Sequence, residues 1–349
     1  MHGSLKSSLE AAGATYEATD NATPRNFGDT AAEYAVLSSA VGLVDLSDRT
    51  QIELTGADRQ SFLHNLSTNE VRRLATGAGC EAFLCNVQGH TLALVNIFCG
   101  AETLVIETVP GEEAKLLKHL DKYLIREKVE LHGRSEPWAE LLLAGPRAES
   151  LLQGSANALL QRTFDSVTGQ LANVPVSIRR VDFTQPTGFL ISCDRTLAGD
   201  LWKHLRDAGA RPCGREAFEI ARIEAGTPFY GRDLTDGNLP QELARDARAI
   251  SFTKGCYIGQ ETVARLDALG HVNRTLCGVR FAGPEVPPVG IEFTDDAGKS
   301  LGQVTSAAFS PRLNAPLALA YVRRGSNAPG TKIATAAGPA EVISLPIGD

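Results

Sequence analysis

The sequence predicts an α+β protein that ends in a separate, small all-β barrel. Through the first three quarters of the chain, strand-length apolar runs cluster with helical-period segments, without strict βαβ alternation. Cys80 to Val87, Thr91 to Cys99 and Thr103 to Val109 are separated only by Gln88-Gly89 and Gly100-Ala101, which implies an antiparallel meander. After Arg274 the helical periods stop, and Gly-Pro, Pro-Pro and Pro-Gly turns divide short apolar runs, as in a barrel.

The elements follow in order. Alternation from Gln51 to Thr55 reads as a strand, Gly56-Ala57-Asp58 as a cap, and Phe62, Leu63 and Leu66 as one helix face. After the meander, Leu116, Leu120, Tyr123 and Leu124 mark a second helix, and Lys128 to Leu131 a short strand. Trp138 to Leu143 is a strand and Pro146 to Leu152 a helix. Val174 to Phe183 and Gly188 to Cys193 are strands, and Ala198 to Ala208 and Arg215 to Ala225 are helices. The barrel strands are Thr275 to Phe281, Ile291 to Asp295, Leu301 to Ser306, Pro316 to Val322 and Glu341 to Leu345. No fixed-period repeat appears. This divides the chain into a module at 1–274, with about 51–136 as one subdomain and 1–50 with 137–274 as the other, and a barrel at 275–349.

Composition narrows the function classes. At 349 residues the chain is long enough for a large core without disulfide staples. A net charge of −7 argues against nucleic acid, which demands clustered Lys and Arg. The longest apolar runs are strand-sized, far below the roughly 20 residues of a membrane helix, and Met1 to Glu10 has no apolar secretory core. A cytoplasmic protein with no membrane partner is expected. The seven cysteines include no C-x-x-C pair, so reduced thiols are expected, with no stably bound metal or cluster. His64, His90 and His271 are isolated, and His90 reads as a solvated turn residue. Asp233, Asp236 and Glu242 read as carboxylates that keep a loop solvated. There is no phosphate-cradling glycine motif and no G-x-S-x-G.

Chemistry concentrates at Lys254-Gly255-Cys256-Tyr257-Ile258-Gly259-Gln260-Glu261, just ahead of a helical pattern containing Val263 and Leu266. A thiol beside a helix N-terminus with a lysine two residues away gains thiolate character. Buried inert cysteines are the commoner case.

KGCYIGQE resembles the signature of the YgfZ family, folate-binding relatives of the glycine-cleavage T-protein linked to iron-sulfur cluster assembly and repair. The similarity continues through Val263-Ala264-Arg265 and Gly270-His271-Val272-Asn273-Arg274. Upstream, Gly42 to Ser47 and Phe62 to Asn69 resemble the opening strand and helix that YgfZ and T-protein share. Arg222 to Pro228 and Asn238 to Glu242 resemble the loop region before the cysteine, and Gly302 to Ser306 and Leu317 to Val322 resemble the T-protein barrel. The resemblance implies a T-protein-like folate-binding module of two α+β subdomains plus the barrel. It also implies a reactive thiol at Cys256, supported by Lys254, Gly255, Tyr257, Gly259, Gln260, Glu261 and Arg265, and folate contacts at Asn69, Arg222 and Glu242.

Departures from the T-protein pattern shape the expected activity. In aminomethyltransferases a turn like Asn86 to Gly89 is followed by an aspartate pair, where this chain has Ala93 and Leu94. Thr184 to Ile191 resembles a T-G-E-D-G-F-E-I stretch but carries Pro186 and Leu190 in place of glutamates. The expected function is YgfZ-like support of iron-sulfur cluster assembly or repair in client enzymes, with client or assembly proteins as partners and tetrahydrofolate as a weak ligand. The alternatives are a tetrahydrofolate-dependent one-carbon transferase, of aminomethyltransferase or demethylase type, and a folate-binding sensor without chemistry. The apolar pair argues against a functional aminomethyltransferase.

Overall fold

A computed structural model describes residues 4–17, 22–152, 160–294 and 298–348. The chain separates into two compact units, one of residues 1–82 and 95–221, the other of residues 83–94 and 222–349. No helix among the described residues is long and apolar enough to cross a membrane.

The first unit is built on two sheets. In the six-stranded sheet Gly42–Asp45 lies second from one edge, parallel to the edge strand Arg211–Cys213 and antiparallel to Trp138–Ala144, with Gly188–Asp194, Val174–Val181 and Ser166–Leu171 continuing toward the other edge. Its inner strands Gly42–Asp45, Trp138–Ala144 and Gly188–Asp194 are buried on both faces. Leu141 and Leu143 join one apolar cluster around Trp202 and Phe189, whereas Leu142 and Ala144 join another with Leu190 and Phe218. The second sheet orders Gly79–Cys85, Thr91–Cys99, Thr103–Pro110, Arg49–Thr55 and Glu130–Gly133, so the expected meander is present. Its first two strands run into the 83–94 hairpin, which counts with the second unit. The Phe62 helix spans Arg59–Leu66 with Phe62, Leu63 and Leu66 buried, and Arg215–Ala225 is helical as expected.

Sequence and structure part where local signal is weak. The helix expected through Leu124 stops at Asp121, and the segment Pro146 to Leu152 keeps only the short helix Ala148–Leu151. Helices Leu5–Ala11 and Thr30–Ser39 and strand Ser166–Leu171 are additions. Each lacks a strong apolar period, and both helices are started by side-chain caps, Ser4 and Asp29 accepting from backbone N–H groups.

In the second unit, Arg274–Phe281, Ala315–Arg323, Ser300–Ser310, Glu292–Thr294, Lys332–Thr335 and Gly338–Ile343 close a six-stranded barrel. Closure removes exposed edges, and alternate inward residues, among them Val279, Phe281, Phe293, Val304, Ala320 and Val342, fill the interior. Lys332–Thr335 lacks an apolar alternation long enough to be read in advance. Asp295, expected to end a strand, lies outside the described residues.

Asp45 carries a testable electrostatic consequence. It is buried in its strand, and loss of solvation raises its carboxyl pKa to about 6, although Ser47 donates to it through its backbone N–H. A raised folded-state pKa means this group favours the fold below its unfolded pKa. That contribution is lost as pH climbs through about 6. Asp45→Asn is therefore expected to stabilise the protein by about 1–3 kcal/mol at pH 7.5 and by little at pH 4. Urea unfolding at the two pH values checks it, and equal effects at both would contradict the burial argument.

Candidate functional site

The motif loop is shaped by two residues that bury and by Gly259, which allows a close approach. Tyr257 and Lys254 are both buried, and the Lys254 ammonium lies 5.0 Å from the centre of the Tyr257 ring. Burial holds the Tyr257 phenol above its ordinary pKa. Gly259 adopts φ 83° and caps the helix Gln260–Leu269, where a side chain would meet the Asn86 carbonyl oxygen at 2.6 Å and Gly89 Cα at 2.9 Å. The Thr262 hydroxyl donates to the Gln88 carbonyl at 2.8 Å, which pins the helix start to the Asn86–His90 turn. Gln241 extends its Nε2 to the Val263 carbonyl at 2.7 Å from the other side.

Gly259→Ala is thus expected to cost about 1–3 kcal/mol through left-handed strain and the backbone clash. Gly255, by contrast, has open space around its Cα, so Gly255→Ala should stay within about 0.5 kcal/mol. Amide hydrogen exchange over residues 254–262 measures both, and equal protection in the two variants would refute the contrast.

Cys256 is exposed, and among the seven cysteines it alone is. The helix begins at Gln260, so the thiol sits in the loop just ahead of the helix start. The Lys254 ammonium, two residues before it, is buried over the Tyr257 ring. Gly255, Glu261 and Arg265 are exposed, and Gln260 is half-buried. The other thiols are withdrawn: burial pushes Cys85, Cys193 and Cys213 up to about 12, and also raises Cys99 and Cys277. Cys80, expected in an apolar strand environment, is half-buried.

On the 83–94 hairpin, Ala93 is fully buried and Leu94 half-buried. Asn86 folds the turn by accepting from the backbone N–H groups of Gln88 and His90, both at 3.0 Å. His90 is half-buried with a buried, unpartnered Nδ1, and is not the solvated turn residue expected. Leu190 belongs to an apolar cluster of the first unit.

The three residues expected to contact folate are engaged internally. Asn69 donates to the Glu81 carbonyl at 2.7 Å and accepts from Glu70 N–H at 2.8 Å. Arg222, fully buried, donates to Asp233 at 2.8 Å, to the Thr227 carbonyl at 2.9 Å and to the Ser306 hydroxyl at 2.8 Å. Glu242 accepts from Asn238 at 2.7 Å and from Arg274 at 3.3 Å through each oxygen. The expectation of a solvated acidic loop is corrected at Asp233 and Glu242, which are buried, whereas Asp236 is exposed and accepts from the Tyr230 hydroxyl.

One constellation was not anticipated. In the first unit, Arg49 pairs with Glu107, which accepts from Asn96 at 2.7 Å. Beside them Arg179 donates to Glu140 at 3.0 Å and to Gln51 at 3.1 Å, and Ser192 donates to Gln51 at 3.0 Å. Burial, then the charge of Glu107, pushes the Glu140 carboxyl upward, and burial lowers Arg179. Gln51 Nε2 and Glu140 Oε2 are buried without a partner. The signal available in advance was a single charged residue inside each of several apolar runs, such as Glu107 in Thr103 to Val109 and Glu140 in Trp138 to Leu143. Among the described residues no three His, Cys, Asp or Glu side chains converge as metal donors.

Residues 5–254 match the GCVT N-terminal domain, and residues 274–349 match the glycine cleavage T-protein C-terminal barrel domain. An aminomethyltransferase of Streptomyces avermitilis is 29% identical over 340 residues, covering 93% of this chain and 90% of that one. Another, from Caldanaerobacter subterraneus subsp. tengcongensis, is 31% identical over 312 residues, covering 86% and 82%. The crystal structure of glycine cleavage system aminomethyltransferase T from Bartonella henselae superposes with a TM-score of 0.90 at 23% identity, covering 98% of this chain and 96% of that one.

Proposed function

Because the chain belongs to the GCVT family, the family of the glycine-cleavage T-protein, we propose that it is a YgfZ-like member that supports iron-sulfur cluster assembly or repair in client enzymes. The observation that carries this reading is the lone exposed thiol, Cys256, within KGCYIGQE. Cys256 is the working group, as a transient ligand of a cluster handed over with a client or as a redox-active thiol. Lys254, Tyr257 and Gly259 shape its loop, and Gly255, Gln260, Glu261 and Arg265 complete the motif around it. Residues 1–274 and 275–349 serve as its two modules, acting in the cytoplasm.

A second reading is a tetrahydrofolate-dependent one-carbon transferase, favoured by the relatives whose name is aminomethyltransferase. Against it stand the buried Ala93 and the half-buried Leu94, where the resemblance requires aspartates. Neither side chain can move a proton or accept a hydrogen bond, and a positioned acid or base contributes about 10²–10⁴ in rate. Transfer of an aminomethyl group from a lipoyl carrier to tetrahydrofolate is therefore expected at background. Turnover comparable to an aminomethyltransferase would install the second reading.

Tetrahydrofolate, the ligand the family implies, should bind weakly, because Pro186 and Leu190 offer no side-chain acceptor to the pterin. Anaerobic calorimetric titration tests this, and submicromolar affinity would mean that other side chains supply the acceptors. For the main reading, the decisive measurement is the activity of an iron-sulfur enzyme in cells lacking this protein. The wild-type chain should restore that activity and Cys256→Ala should not.

A further inference from the structure

The C-terminal barrel carries a recess of about 710 Å3 on its outer face, within the range of about 300–1,000 Å3 common for small-ligand sites. Strand alternation explains how it forms. Phe281, Ile333 and Ala340 point into the barrel core, so their neighbours face outward. The register sets Lys332 and Arg280 on either side of Glu341, giving a charged row across three strands. In the adjoining row Ala334 pairs with Pro339, and the Ala282 N–H donates to the Pro339 carbonyl at 3.0 Å. Long charged side chains thus stand beside a floor of small apolar ones, and Ala315 extends the wall.

The charge of the row is unbalanced. Arg280 pairs with Glu341 at 2.9 Å, while Lys332 is exposed in the same row, so two cations share one carboxylate. We propose that this recess binds a small organic anion with a short apolar body. The anion's carboxylate would meet Lys332 and Arg280, and its hydrocarbon part would cover Ala282, Ala334 and Pro339. A cationic ligand would face repulsion from both walls, and a neutral one would forgo the ionic contact.

Hexanoate, hexan-1-ol and hexylammonium, titrated separately into the full chain with labelled alanine methyls, test the proposal. Hexanoate is expected to shift the Ala282 and Ala334 methyl signals saturably, with hexan-1-ol weaker by about tenfold and hexylammonium silent. Lys332→Gln should weaken hexanoate about threefold, and Lys332→Gln with Arg280→Gln about tenfold. Glu341→Gln should instead tighten it, because the competing carboxylate is gone. These side chains are exposed or half-exposed, so unchanged melting curves serve as the check on folding. Ala334→Leu, which fills the floor, should remove binding while leaving the barrel folded. Equal affinity for hexanoate and hexan-1-ol, no saturable shift, or insensitivity to the charge variants would each overturn the proposal. None of these outcomes depends on Cys256.

Discussion

Arg222→Met is expected to destabilise the second unit by about 3–5 kcal/mol, the cost of leaving one member of a buried ion pair without its partner. Arg222 and Asp233 are both fully buried, and their geometry is complete. Asp233 accepts from Arg222 and from the Phe229 N–H through one oxygen, each at 2.8 Å, and from the Thr305 hydroxyl at 2.6 Å through the other. Arg222 also reaches Ser306, so the pair ties the end of the Arg215–Ala225 helix and the following loop to a barrel strand. Removing only the cation strands a carboxylate away from water. Replacing both members, Arg222→Met with Asp233→Leu, should therefore cost clearly less than the sum of the single changes. Denaturant unfolding of the two single variants and the double checks this. Strict additivity would show that the pair does not act as a unit.

The second large effect is thiol selectivity. At pH 8, Cys256 is expected to be alkylated faster than Cys85, Cys193 and Cys213 by a factor on the order of 10²–10³. Those three are buried with pKa values pushed up to about 12, so both access and thiolate fraction are suppressed. Cys256 is open to solvent. Iodoacetamide labelling in the folded state, quenched at intervals and located by mass spectrometry, gives each rate. Denatured protein provides the reference in which the seven thiols should label alike. If Cys256 labels no faster than the buried three in the folded state, the thiol lacks the availability on which its proposed role depends. Cys256→Ala should leave the melting temperature nearly unchanged, since an exposed small side chain contributes little packing.

Local chemistry was sufficient for much of this protein. The strand-turn-strand spacing of residues 80–109 determined the meander, because short turns can join only antiparallel neighbours. The proline and glycine turns after Arg274 likewise separated the barrel from the rest, although Lys332–Thr335 went unread for want of a long enough alternation. The cysteine motif stood out by its residues alone, but they did not say what its glycines meet. Only the folded chain identified Asn86 and Gly89 as the partners of Gly259, since that contact joins segments about 170 residues apart. Charge was the least legible property. The Arg49–Glu107 and Arg179–Glu140 pairs gave no signal of pairing in the linear chain, and Asp233 and Glu242 read as solvated loop carboxylates. A carboxylate in a loop looks the same whether it is solvated or buried. Its state follows from which cation the fold brings to it, and tertiary structure alone decides that.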